Sequence, residues 1–169
     1  MTHSLSGSLA DRPLRVHAQY TREEAVSALG YVSIDGRKPN SLREGVMFSE
    51  PAQTDAFFVT LKKSEADYSP TTMYRDYAIS PSLFHWESQS GTSVLSRTGQ
   101  RYLHHRERGS HVLLFTRSEK VTAFGAGAPY LLLGEADYGE HRGERPIAIT
   151  WQLRTAMPSS AFVVASVVA

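Results

Sequence analysis

Asp76, His85 and Glu87 lie close together in the chain around Trp86, and His104 follows. Carboxylates and imidazoles take and give protons near neutral pH, so this set could serve general acid–base chemistry in a hydrolase or nuclease. No nucleophile or metal signature accompanies it. The phosphate-cradling pattern G-x-x-x-x-G-K-[ST] is absent, as are G-x-G-x-x-G, G-x-S-x-G and H-E-x-x-H. A hydrogen-bonded network holding the indole in place is the simpler expectation, and no residue is assigned as catalytic.

The same stretch, Ser69 to Ser90, is rich in aromatics beside polar groups. Tyr74, Asp76, His85, Trp86 and Glu87 could line a site with apolar walls and a few polar points. Stacking on an aromatic ring is worth about 1–3 kcal/mol per base in single-strand binders. Phe84 and Tyr77 are expected in the core instead. Arg75, set between aromatics, suits a phosphate or a base edge.

From Arg97 to Arg117 five arginines meet a single acid, Glu107, so this stretch carries +4 on a chain whose net charge is only +1. Arg97, Arg101, His105, Arg106 and Arg108, with Arg75, are the candidate nucleic-acid contacts. A solvated loop with ion pairs is the competing expectation. His104, His105 and His111 could ligate a metal, but neighbours on a strand point to opposite faces and no second cluster has ligand spacing, so no metal and no cofactor are expected.

These residues must be positioned by a domain of ordinary size: 169 residues, 41% hydrophobic and 21% charged, with no cysteine. Disulfides, thiolate catalysis and cysteine-ligated zinc are excluded, which is compatible with a reducing cytoplasm. No apolar stretch approaches the roughly 18 residues of a spanning helix, and the N-terminus does not have the form of a signal peptide, so no membrane association is expected. The expected organisation is a flexible N-terminus over 1–12, one β-rich recognition domain over 13–158 and a tail over 159–169, the tail being a last strand or a docked segment.

Thr21 and Glu24 form a capping box ahead of Ala25, Val26, Ala28 and Leu29, which predicts a helix from Arg22 to Leu29 closed by Gly30. Strands are predicted at Gly45–Phe48, Ala56–Lys62, His111–Thr116, Tyr130–Gly134 and Ile147–Arg154. In the second, Phe57, Val59 and Leu61 should face one way and Phe58, Thr60 and Lys62 the other. In the last, Ile147, Ile149, Trp151 and Leu153 should be buried. Gly125–Pro129 and Gly139–Pro146 are expected connections, and Ser88–Gly99 a mobile loop. With strands outnumbering helices, the fold class is α+β and β-rich: a curved antiparallel sheet or a small β-barrel, with one or two short helices.

Several blocks together carry a resemblance: Leu42–Val46, Asp55–Ser64, Tyr68–Ser80, Leu83–Ser90, Thr98–Tyr102, Leu132–Gly134 and Gly143–Ile147 with Trp151. Over about Leu14 to Met157 the chain resembles the uncharacterised domain at the C-terminus of bacterial DEAD/DEAH-box helicase proteins. Those proteins often carry a phospholipase-D-like nuclease domain and look like restriction or phage-defence machines. These 169 residues hold neither helicase nor nuclease, as expected of either a free-standing relative or an excised domain. The resemblance implies a DNA partner, expected to be double-stranded, and a role in reading a modified base or backbone. A PUA/SRA-like barrel would suit that role by holding a flipped base between aromatics. It equally leaves open a module that docks on helicase or nuclease subunits without touching DNA.

Overall fold

The computed structural model describes residues 1–31, 45–61, 76–119 and 127–166. Its strands are β1 (His3–Ser4), β2 (Arg15–Val16), β3 (Gln19–Tyr20), β4 (Val46–Ser49), β5 (Thr54–Thr60), β6 (Tyr77–Ser80), β7 (Leu83–Glu87), β8 (His111–Arg117), β9 (Tyr130–Arg142) and β10 (Ala148–Leu153). The helices are α1 (Arg22–Ala28), α2 (Arg97–Leu103) and α3 (Ser159–Ser166), with a 3-10 turn at Gly7–Leu9.

An eight-stranded sheet runs β4-β5-β8-β9-β10-β7-β6, with β3 pairing on the start of β9, while β1 and β2 form a separate ribbon. The chain is thus α+β and strand-rich as expected. The sheet stays open instead of closing into a barrel, and the described residues hold three short helices. It is also not wholly antiparallel: β5 and β8 pair in parallel, Thr54 beside His111 through Thr60 beside Arg117. A parallel pair needs a long crossover. Here the crossover carries the β6–β7 hairpin and α2, an arrangement that no regular strand–helix alternation announces.

Period-two alternation divides the central strands between two cores. Phe57, Val59, Val112 and Leu114 face the first core with Phe84, Trp86, Tyr102, Ile149 and Trp151. Ala56, Phe58, Leu113 and Phe115 face the second with Leu9, Val16, Val26 and Leu29. Strands buried on both faces read as nearly unbroken apolar runs, which is the pattern of His111–Phe115. Ile147, Ile149, Trp151 and Leu153 are buried as their alternation predicts, and Leu61 packs with Phe57 and Val59. Lys62 lies outside the described residues.

The capping box forms: the Thr21 hydroxyl accepts from the Glu24 amide and the Glu24 carboxylate accepts from the Thr21 amide. The tail docks as the helix α3, with Ala165 buried in the first core. The stretch expected as a mobile loop after Ser88 is stitched by local hydrogen bonds, Thr92 to Gln89 and Ser96 to Ser93, and enters α2 at Arg97. Strand β9 runs on through Gly139 to Arg142, beyond its predicted end. Its last residues pair with β10, Arg142 beside Ala148 through Glu140 beside Thr150, and at Gly139 a Cβ would sit 2.8 Å from the Thr150 carbonyl oxygen. The Gly125–Pro129 connection falls partly outside the described residues.

Candidate functional site

Alternation along β7 separates the aromatic candidates. Phe84 and Trp86 turn into the first core, whereas His85 and Glu87 turn to the opposite face. The Trp86 indole stacks on Phe57 with ring centroids 4.1 Å apart and meets the Tyr102 edge at 5.3 Å. It is 4% exposed. Trp86 is therefore a core side chain in this structure, with no open face for a base to stack on. Tyr77, expected in the core, instead stands half-buried and stacks on His85 at 4.7 Å. Asp76 accepts a hydrogen bond from the Glu87 amide at 2.9 Å, tying the start of β6 to the end of β7. Tyr74 and Arg75 lie outside the described residues.

The basic candidates divide as well. Arg101 reaches inward and grips the buried Asp55 carboxylate with two hydrogen bonds, 2.7 and 2.8 Å, while its guanidinium lies 4.2 Å over the Phe48 ring. Burial pushes the Asp55 carboxyl above its ordinary range, and the Arg101 hydrogen bonds oppose that shift. His105 is 2% exposed. Its Nδ1 donates to the Ser110 carbonyl and its Nε2 accepts from the Tyr138 amide at 3.0 Å, so two backbone groups fix one neutral tautomer. Burial lowers its pKa, against the opposing pull of Ser110 and Asp137. Arg101 and His105 thus hold α2 and the following turn in place, and neither presents its polar atoms to solvent as a phosphate contact would.

Arg97, Arg106 and Arg108 are exposed at the two ends of α2. Two more exposed arginines, Arg142 and Arg145, come from the β9–β10 connection. That connection is fastened to the loop before α2: the Glu144 carboxylate accepts from the Val94 amide and the Arg145 amide donates to Thr92. No carboxylate pairs with any of these five arginines among the described residues. Arg142 and Arg145 were visible in sequence only as part of a charged loop, because nothing local shows that this loop returns to α2. His104 is the C-cap residue of α2 and lies 3.6 Å from Glu107. His85 and Glu87 lie on the face of β7 opposite Trp86.

Sequence reasoning missed one polar cluster, built where β8, β9 and the end of β10 meet the N-terminal segment. The buried Glu135 carboxylate lies 2.7 Å from Arg154 and 3.4 Å from the His111 ring. Arg154 also makes two hydrogen bonds to Asp137, each 3.0 Å. Burial would raise the Asp137 carboxyl, but the Arg154 hydrogen bonds, the Arg154 charge and the nearby His105 and Arg106 together outweigh it and hold the group below the ordinary carboxylate range. The available signal was a glutamate inside the apolar run Leu131–Ala136. Among the described residues no group of three or more His, Asp or Glu is placed to hold a metal ion, and no helix is long and apolar enough to cross a membrane.

A family model described as a domain of unknown function (DUF3427) matches residues 14–164, and the chain belongs to that family. No curated protein matches it. Among solved structures, the 5-hydroxymethylcytosine-specific restriction enzyme AbaSI is similar with a TM-score of 0.47 and 12% identity, over 80% of this chain and 37% of that one. The chain spans little more than a third of that enzyme's length.

Proposed function

We propose that this domain binds DNA through the arginines displayed around α2, as the recognition part of a restriction or defence system. The observation that carries the proposal is the set Arg97, Arg106, Arg108, Arg142 and Arg145: exposed, without carboxylate partners among the described residues, and held on connections fastened by hydrogen bonds. Exposed guanidinium groups on a fixed frame suit the phosphates of a duplex. The setting in a restriction or defence system rests on the resemblance carried by the sequence blocks quoted above. Within this proposal, the sensing of a modified base falls to the Tyr77–His85 stack with Asp76 and Glu87, because Trp86 is occupied in the core.

The test is binding to modified and unmodified duplexes across a salt series. Affinity should fall steeply with salt, and each arginine that meets a phosphate should contribute about one unit to the log–log slope. Arg106→Ala with Arg108→Ala should weaken binding evenly across sequences. His85→Ala should alter the preference between modified and unmodified duplexes. A flat salt response, or no binding to either duplex, overturns the proposal.

A further inference from the structure

Ser8, on the 3-10 turn, places its hydroxyl 2.9 Å from Nε2 of His111. The other ring nitrogen, Nδ1, faces the Glu135 carboxylate at 3.4 Å. A carboxylate oxygen has no proton to offer, so this contact suits the tautomer with its hydrogen on Nδ1, which leaves Nε2 as the base toward Ser8. The order hydroxyl, imidazole, carboxylate is that of an activated nucleophile whose base is oriented by a third group. The burial gradient fits as well: Ser8 is exposed, His111 is half-buried, and Glu135 is 4% exposed. Arg154 holds the same Glu135 oxygen at 2.7 Å and so fixes the carboxylate's orientation. The second oxygen, Oε1, is buried without a hydrogen-bond partner. The Nδ1 distance is long for a resting hydrogen bond, and such contacts tighten once the ring becomes positively charged.

We infer that Ser8, His111 and Glu135 form a nucleophile, base and positioning group that cleave carboxylic esters, an activity separate from DNA binding. In the first step the Ser8 Oγ bonds to the acyl carbon as its proton passes to His111 Nε2. The bond from that carbon to the alcohol oxygen breaks, and the alcohol leaves with the proton from Nε2. Water then adds to the acyl carbon, giving its proton to Nε2. The bond to Oγ breaks, the carboxylic acid departs, and the proton returns to Ser8. Glu135 does not touch the substrate; it acts through His111. Ser8 precedes the family match at residues 14–164, so the inference concerns this chain and not the family.

The experiment is labelling of the intact chain with a fluorophosphonate probe, with the adduct located by mass spectrometry. The expected result is an adduct on Ser8 that is absent from Ser8→Ala. In His111→Ala the labelling rate should fall about 100-fold, the scale of a lost general base, and added imidazole should restore part of it. Glu135→Gln should lower the maximal labelling rate without changing the probe concentration at half-maximum, which merely loosened folding would not do. Ser8 is exposed, so Ser8→Ala should keep the wild-type melting temperature. No adduct on Ser8, or an adduct formed as fast in His111→Ala as in the wild type, overturns the inference.

Discussion

Tyr102 and Trp86 meet edge to face, with ring centroids 5.3 Å apart and planes inclined by 86°. That contact, with the hydrogen bond from the Tyr102 hydroxyl to Gln89, joins the two segments that carry the chain's most conspicuous chemistry, the aromatic run and the arginine-rich run. They meet inside the core and not around an open cleft. The side chain before Tyr102 is Arg101, which reaches from the same helix to Asp55 on β5. Two adjacent residues therefore hold α2 down, one by aromatic packing and one by a buried ion pair. The exposed arginines at the helix ends inherit their positions from these anchors.

Replacing Trp86 separates a core role from a pocket role. Truncating a fully packed indole removes its contacts with Phe57, Tyr102 and Trp151 and leaves a cavity. Trp86→Ala should destabilise the fold by about 3–5 kcal/mol, the range for large aromatic truncations. Trp86→Phe should retain most of the stability and leave any DNA affinity unchanged. Denaturant titration paired with a binding isotherm checks both. A Trp86→Phe variant that folds normally but loses binding would return the indole to the ligand site.

Removing Arg101 leaves the Asp55 carboxylate buried without its guanidinium partner. Arg101→Met should cost about 3–5 kcal/mol, as when one member of a buried pair is deleted. The pH dependence has a definite sign. Burial already holds the Asp55 carboxyl above its unfolded value, and loss of Arg101 removes the groups that oppose the shift. A raised folded value means that the group's stabilising contribution is present in acid and is lost as pH rises through that value. The Arg101→Met penalty should therefore shrink on acidification, and Asp55→Asn placed beside it should recover much of the loss. Urea midpoints at several pH values measure this. A penalty independent of pH would mean that the pair does not act through the Asp55 charge.

The parts of this fold that sequence made legible are those with local signatures. Thr21 and Glu24 name their own helix, because the reciprocal cap uses residues three apart. Ile147 to Leu153 name a half-buried strand, because alternation is written into the strand itself. What stayed hidden depends on contacts across the chain. Arg101 reads as a free charge until Asp55, 46 positions away, is seen beneath it. His105 reads as a surface histidine until the Tyr138 amide is found on its far nitrogen. Trp86 looks available among polar neighbours, since strand alternation tells that His85 and Trp86 face apart but not which face is covered. The parallel β5–β8 pair was hidden for the same reason, its two strands being separated by a hairpin and a helix.

Gly99 offers a further check on the seating of α2. A Cβ at this position would collide with the Ser93 carbonyl oxygen, which lies in the turn that caps the helix through Ser96. Since the neighbour is backbone and cannot swing aside, Gly99→Ala should destabilise the domain, although alanine favours a helix elsewhere by about 1 kcal/mol over glycine. A melting temperature equal to or above that of the wild type would show that the turn and helix are not packed as described.

His105 supplies the last expected outcome, again with its sign fixed by burial. The folded imidazole lies below its ordinary value because it is buried, against the opposing pull of the Ser110 carbonyl and Asp137. The unfolded chain therefore takes up a proton first as pH falls. The stabilising contribution of His105 is full above the unfolded value, about 6.5, and is lost as pH drops through it toward the lower folded value. His105→Gln removes that titration and breaks the paired hydrogen bonds. It should cost about 1–3 kcal/mol near neutral pH, the scale for leaving a buried group unsatisfied. The gap between variant and wild type should narrow as the solution is acidified. Thermal unfolding from neutral pH into the acid range reads this directly. A gap that widened in acid would mean that the ring is protonated in the fold, and that the tautomer assigned by Ser110 and Tyr138 is wrong.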